Sequence, residues 1–400
     1  MPLPLAYLFE RFPAFTKTFC AREVAGMYDQ GYSIAVISIR RPNDPRPLDI
    51  PLDRVRITYL PDSNSLGFKL LTRWRSYRLI PPGIERDSRD RHRLAEAVFL
   101  GPRLRRLQIH HLHVHFAGLA ARTAWWLKRL FDITYSVTGH ANDIFVDRPD
   151  QRISLGDLVR DATFFATETD YSTRFLQNRF PESAAKIHRV YNGLALGNFR
   201  ASDPSQRPAT IISVGRLIAK KGFNDLILAC HLLREGGQKV RCVLVGAGPE
   251  QLRLRQMVDE FRLNDSVELV GPKSQPELRE LLAGSQIFVF PAVEDLDGDR
   301  DNLPTVVIEA MASGLPVVAT SVGGIPEMVA PDRTGLLIGQ HDPAGLAAAI
   351  VKLLKDPETA KQFGIAGRQL AEEKFSLNET TRSLRELWER YVGALMAGSQ

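Results

Sequence analysis

The chain has 400 residues, 44% hydrophobic and 24% charged, with a formal net charge of +6. Such a length suggests roughly two to three domains, and this composition excludes a collagen-like or disordered chain. No run reaches the roughly 18 apolar residues of a membrane span, and the opening "MPLPLAYLFERFPAF" lacks a secretory signal's basic and apolar segments. Three scattered cysteines, Cys20, Cys230 and Cys242, give no disulfide framework, so a cytoplasmic protein is expected.

In chain order, the first predicted helix is "KTFCAREVAGMYDQG", stopped by Gly31. Strands are expected at 32–39, 109–116, 133–138 and 163–168, where β-branched and apolar residues run between turns. The charge is uneven: up to Val190, 29 Lys/Arg face 20 Asp/Glu, and all of the basic excess lies there. It is densest over 69–106, where Trp74 and Tyr77 sit among Arg73, Arg75 and Arg78. Rings interleaved with cations suit an anionic membrane surface; a solvated helix face with snorkelling arginines fits equally well. Without a binding module, nucleic acid is not expected.

Within the second predicted strand, "HHLHVHFAG" places His111, His113 and His115 on one face and His110 on the other. Two histidines at i and i+2 can chelate a metal, but no third Cys or acidic ligand adjoins them. Strand packing is therefore expected, with His115 nearest the carboxyl end and a substrate.

A turn-rich join, "VYNGLALGNFRASDPSQRPAT", precedes a second half with the same alternation. Strands are expected at 210–215, 240–246, 267–271, 287–291 and 316–320, with helical patterns between them. The predicted fold class is α/β, two doubly wound parallel-sheet (Rossmann-like) domains facing across a cleft. Their spans are 1–193 and 194–374, and a C-terminal helix, 375–400, packs back on the first.

The chemistry concentrates in the second half. "SVGRLIAKKGF" ends a strand at Gly215 and sets Arg216 and Lys221 on one loop, a pattern suited to a diphosphate. "VGAGPE" is a second glycine turn. "DNLPTVVIEAMASGLPVVAT" brings two carboxylates, Asp301 before a helix and Glu309 on it, able to hold sugar or ribose hydroxyls. Backbone amides around Leu303 and Thr305 can meet phosphate oxygens. The acidic "VEDLDGDRD" does not match a calcium loop, and the two cations already neutralise a diphosphate, so a mobile acidic loop is expected and no metal.

"GRLIAKKG", "LVGAGPE" and "DNLPTVVIEAMASGLPVVAT" with "GGIPE", in this order, resemble the donor half of retaining GT-B glycosyltransferases with a carboxylate–seven residues–glutamate motif. "FERFPAFTKTF" and "TGHANDIF" resemble their bacterial exopolysaccharide subgroup, including the colanic acid type. The resemblance implies sugar transfer, with retention, from a nucleotide diphosphate sugar (UDP- or GDP-sugar) to a saccharide or lipid-linked acceptor. Arg216 and Lys221 would stabilise the leaving diphosphate and His140 the sugar's developing charge. Gly215, Asp301, Asn302, Leu303, Thr305 and Glu309 would bind donor, Glu309 by its ribose. Thr16, Thr18, His115 and Asp143 are the acceptor or cleft residues. No cofactor is implied, and the enzyme would be cytoplasmic, at the inner membrane face if the basic segment docks there. Two departures stand out: Asp301 replaces the usual glutamate, and Lys17 stands where the subgroup often has a glutamate. A sugar-phosphate synthase and a GT-B sugar-nucleotide epimerase remain as alternatives. A nicotinamide-dependent oxidoreductase is more remote, since the first strand is followed by no GxGxxG.

Overall fold

The computed structural model describes residues 5–14, 17–43, 50–62, 64–79, 90–148, 151–201 and 203–393, with the side chains of 5 and 74–79 excepted. The chain divides into two compact units, Met1–Gly193 with Thr380–Gln400, and Leu194–Glu379.

The first unit is built on a seven-stranded parallel sheet: β1 (Leu5–Arg11), β2 (Ile34–Arg40), β3 (Arg56–Tyr59), β4 (His111–His115), β5 (Thr134–Gly139), β6 (Phe165–Thr167) and β7 (Ile187–Arg189). Their order is β3-β2-β1-β4-β5-β6-β7, so the chain reverses its direction of travel across the sheet between β1 and β4. Successive side chains of a strand face opposite ways. Ala6 and Leu8 accordingly join the core under the helix Leu119–Phe131, while Tyr7 and Phe9 join a second core closed by Leu384 and Trp388. The helix Leu377–Trp388 supplies those two residues, so this unit uses both ends of the chain.

The second unit has six parallel strands: β8 (Thr210–Val214), β9 (Arg241–Val245), β10 (Val267–Leu269), β11 (Ile287–Phe290), β12 (Val317–Thr320) and β13 (Gly335–Ile338). Their order is β10-β9-β8-β11-β12-β13, again reversing beside the first strand. Every residue of β8, β11 and β12 is buried, as expected when helices cover both faces of a parallel sheet.

All nine expected strands form; seven are shortened at their ends, while β2 and β5 start later and run one residue further than expected. Four more, β1, β3, β7 and β13, go beyond the expected set. β1 is central yet carries Glu10 and Arg11 at its carboxyl end, which blurs an apolar run; the other three are short edge or near-edge strands.

The basic segment is partly core. Arg93 is buried against Glu96 at 2.7 Å, and the Arg103 guanidinium lies 3.6 Å from the Phe99 ring centre. Lys69 and Arg73 are exposed on the helix Leu66–Leu79 beside Leu66 and Leu70. Residues 80–89 and the side chains of Trp74, Arg75, Tyr77 and Arg78 lie outside the described residues. No described helix is long and apolar enough to cross a membrane.

Candidate active site

In open parallel sheets ligands bind beyond the carboxyl ends of the strands, where the strand order reverses. In the second unit that place lies past β8 and β11, and three glycine turns let backbone segments converge there. A Cβ on Gly246 would overlap the Gly215 carbonyl oxygen, and one on Gly248 the Leu217 carbonyl. Gly222, at φ +64°, stands equally close to the Pro291 carbonyl, and Gly323, at φ +56°, to that of Asp301. Only glycine allows such approach. Backbone hydrogen bonds lock the same contacts: Leu217 N donates to Ala247 O at 3.0 Å, and Val293 N to Lys220 O at 2.8 Å.

These turns bury Lys221 against Asp301, whose two carboxylate oxygens each accept from Nζ at 2.8 Å. Burial draws the Lys221 ammonium below its usual range; Asp301 opposes this, while Lys220 and Arg216 push the same way. Lys220, also buried, pairs with Asp299 at 3.0 Å. Arg216 is exposed, and no ion pair or hydrogen bond holds its guanidinium among the described residues. Asn302, Leu303 and Glu309 are buried around the helix Thr305–Ala312, which Thr305 opens. The two expected cations thus occupy different settings, Lys221 paired inside and Arg216 open to solvent. Lys220 and Lys221 anchor the acidic loop through Asp299 and Asp301, and within it Arg300 holds Glu294 at 2.9 Å. That pairing makes Asp299 and Asp301 a counter-charge to 216–222.

In the first unit the reversal point lies past β1 and β4, and a pocket there is lined by Phe9, Phe12, Lys17, Cys20, His115 and Phe116. Lys17 Nζ stands 3.9 Å over the Phe116 ring. Thr18 opens the helix Thr18–Asp29; Thr16 lies outside the described residues. The Asp143 carboxylate accepts from the Ala117 amide at 3.1 Å and the His140 amide at 3.4 Å, joining the loops after β4 and β5. Burial is the main cause that raises its pKa, with His140 and those amides opposing.

The histidine strand packs as expected. His111, His113 and His115 are buried on one face and His110 is exposed. His111 bridges Thr134 and Ser136 at 2.8 and 3.0 Å, and His113 bridges Ser136 and Thr138 at 2.8 and 3.0 Å. Burial pushes both imidazoles down to about 3, so they are neutral partners of the β5 hydroxyls. Glu23, His113 and His115 each bring one ligand-type atom within 4.8 Å of the others. The His113 and His115 nitrogens involved already bond Thr138 and Glu23, and a cation would have to displace those bonds.

His115 continues the row differently. Its Nε2 meets Glu23 Oε1 at 3.0 Å and its Nδ1 meets His140 Nε2 at 3.2 Å. His140 Nδ1 then meets Glu168 Oε1 at 2.9 Å. Tyr7 donates to Glu23 at 2.8 Å, and Asn192 donates to Glu168. Glu23, Glu168, Tyr7, Asn192 and Lys220 are not among the expected site residues. Only Glu168 left a signal, as a carboxylate closing the predicted strand next to the one that delivers His140.

Both sheets and their order define the GT-B fold, two Rossmann-like domains in one chain. Two solved structures share it: sucrose-phosphate synthase from Thermosynechococcus elongatus, with TM-score 0.77, 20% identity and 98% and 100% of the two chains covered, and Anabaena HepE in complex with UDP, with TM-score 0.71, 16% identity and 97% and 100% covered. Residues 198–370 match the family model of glycosyl transferases group 1, and this part of the chain is a glycosyl transferase group 1 domain. The putative colanic acid biosynthesis glycosyltransferase WcaL of Escherichia coli (strain K12) is 36% identical over 188 residues, 46% of each chain. Alignment thus spans about half the length of this curated relative.

Proposed function

We propose that this chain is a retaining glycosyltransferase that moves a sugar from a nucleotide diphosphate sugar to a hydroxyl of a saccharide or lipid-linked acceptor in exopolysaccharide synthesis. The observation that carries this reading is the cation loop of the group 1 domain. There an exposed Arg216 stands beside a buried, paired Lys221, framed by glycine turns that only close backbone approach explains. Arg216 takes the diphosphate through its planar fork, and Lys221 holds Asp301 in position while adding charge behind it. Leaving-group stabilisation is then the main contribution to rate. The leaving phosphate oxygen accepts the acceptor's proton on the same face, which gives retention without an enzymic nucleophile. Glu309 and Asp301 bind donor hydroxyls, and no metal is needed. UDP in a fold neighbour and colanic acid biosynthesis in a relative support the donor class and the pathway class. The exposed Lys69 and Arg73 with Leu66 and Leu70 suit docking at an anionic, inner membrane face.

The test is a thermal-shift panel of UDP-, GDP-, ADP- and dTDP-sugars on wild type and Arg216→Ala. One donor should raise the melting temperature of wild type, as ligands of the folded state do, and Arg216→Ala should lose most of that shift while melting normally without ligand. No shift with any nucleotide sugar, or an equal shift in Arg216→Ala, would remove the phosphate grip. Product formed without acceptor would make the enzyme an epimerase, and transfer to soluble sugar phosphates alone would make it a synthase.

A further inference from the structure

The five residues Tyr7, Glu23, His115, His140 and Glu168, with Asn192, form one unbroken hydrogen-bonded row inside the first unit, running from β1 through the helix Thr18–Asp29 to the ends of β4, β5 and β6. Each of the three central gaps, Glu23 to His115, His115 to His140 and His140 to Glu168, requires one proton to be a hydrogen bond. Tyr7 and Asn192 already donate to the two carboxylate oxygens, which favours ionised, acceptor-only carboxylates. The three protons then sit on imidazole nitrogens, one more than two neutral rings hold.

We infer that Glu23, His115, His140 and Glu168 are a proton-sharing relay in which the histidine pair carries one excess proton between two carboxylates, and that Glu23 and Glu168 are positioning residues for His140. Both His140 ring nitrogens are engaged within the relay, so this histidine serves sugar transfer by its place beside the charged His115 and not by giving or taking a proton. That last role rests on the function proposed above; the relay itself does not. The facing groups agree. Burial works against a charged His115, but the Cys20 sulfur and the Glu23 carboxylate raise it well above the usual range. Although burial pushes Glu23 upward, His115, His113 and Tyr7 bring it down to about 2. His113 is neutral, Asp143 bonds backbone amides, and Lys17 lies on the Phe116 ring, itself packed on His140.

Nitrogen-15 spectra of histidine side chains in the full-length, unliganded protein test this. At about pH 8, where a free imidazole is neutral, His115 should still show two protonated nitrogens and His140 one, on Nδ1. Glu23→Gln should cost His115 its second proton at that pH, with the His111 and His113 signals unchanged as the check on folding. A single proton on wild-type His115, two retained in Glu23→Gln, or a metal-bound ring in the purified protein would overturn the relay; should Glu23→Gln fail to fold, the wild-type spectrum decides alone. If the spectrum is as expected but no nucleotide sugar binds, the relay stands and the transferase reading falls.

Discussion

Lys221 and Arg216 stand five residues apart on one loop, yet burial gives them different duties. Lys221 shields Asp301 inside the second unit at 2.8 Å, whereas Arg216 lies in solvent. Breaking a buried pair by removing one partner strands the other charge, a cost of about 3–5 kcal/mol. Lys220 remains 3.9 Å from Asp301, so Lys221→Met should cost about 3 kcal/mol, the lower end of that range. Arg216→Ala should change stability by less than about 0.5 kcal/mol while reducing transfer at least tenfold. Urea denaturation alongside a transfer assay separates the two; equal stability losses would contradict this division of labour.

Among the elements, β4 couples the fold to pH. His111 and His113 are held down to about 3, against about 6.5 in an unfolded chain. Below about pH 6.5 the unfolded chain binds two protons that the folded chain does not. Stability present above that value is therefore lost as pH falls toward 3. Each histidine contributes a slope of about 1.4 kcal/mol per pH unit. His115 is raised and so has the opposite sign, but in this window it is protonated in both states and adds no slope. Glu23, lowered to about 2 from 4.5, adds a further loss beneath its unfolded value. Urea midpoints between about pH 6.5 and 4.5 should fall steeply in wild type and with about half the slope in His113→Gln. A flat profile would mean that these rings are charged in the fold.

For the whole molecule, the decisive feature is that the first unit is closed by the end of the chain. Trp388 is buried 5.2 Å from the His111 ring and 6.5 Å from that of Tyr7, measured between centroids. Truncating a buried tryptophan costs about 3–5 kcal/mol. Since each unit has its own core, Trp388→Ala should lower only the unfolding transition that a bound nucleotide sugar does not shift. Movement of both transitions together would show that the units do not unfold separately.

Local pattern determined much of this protein from the sequence alone. Strand–helix alternation in both halves pointed to two parallel sheets, because parallel neighbours are joined by a crossover, usually a helix, and strands covered on both faces run nearly continuously apolar. The glycine turns, Arg216 with Lys221, and Asp301 with Glu309 were legible because each group lies within its own short stretch of chain. Only the tertiary structure decided what Lys221 does at rest, since its partner Asp301 lies 80 residues away. It alone assembled the relay, whose four members lie on the helix Thr18–Asp29, at the end of β4, and just past β5 and β6. Hydrogen bonding between residues distant in the chain leaves no period or spacing in sequence; it exists only where a sheet brings the ends of its strands together.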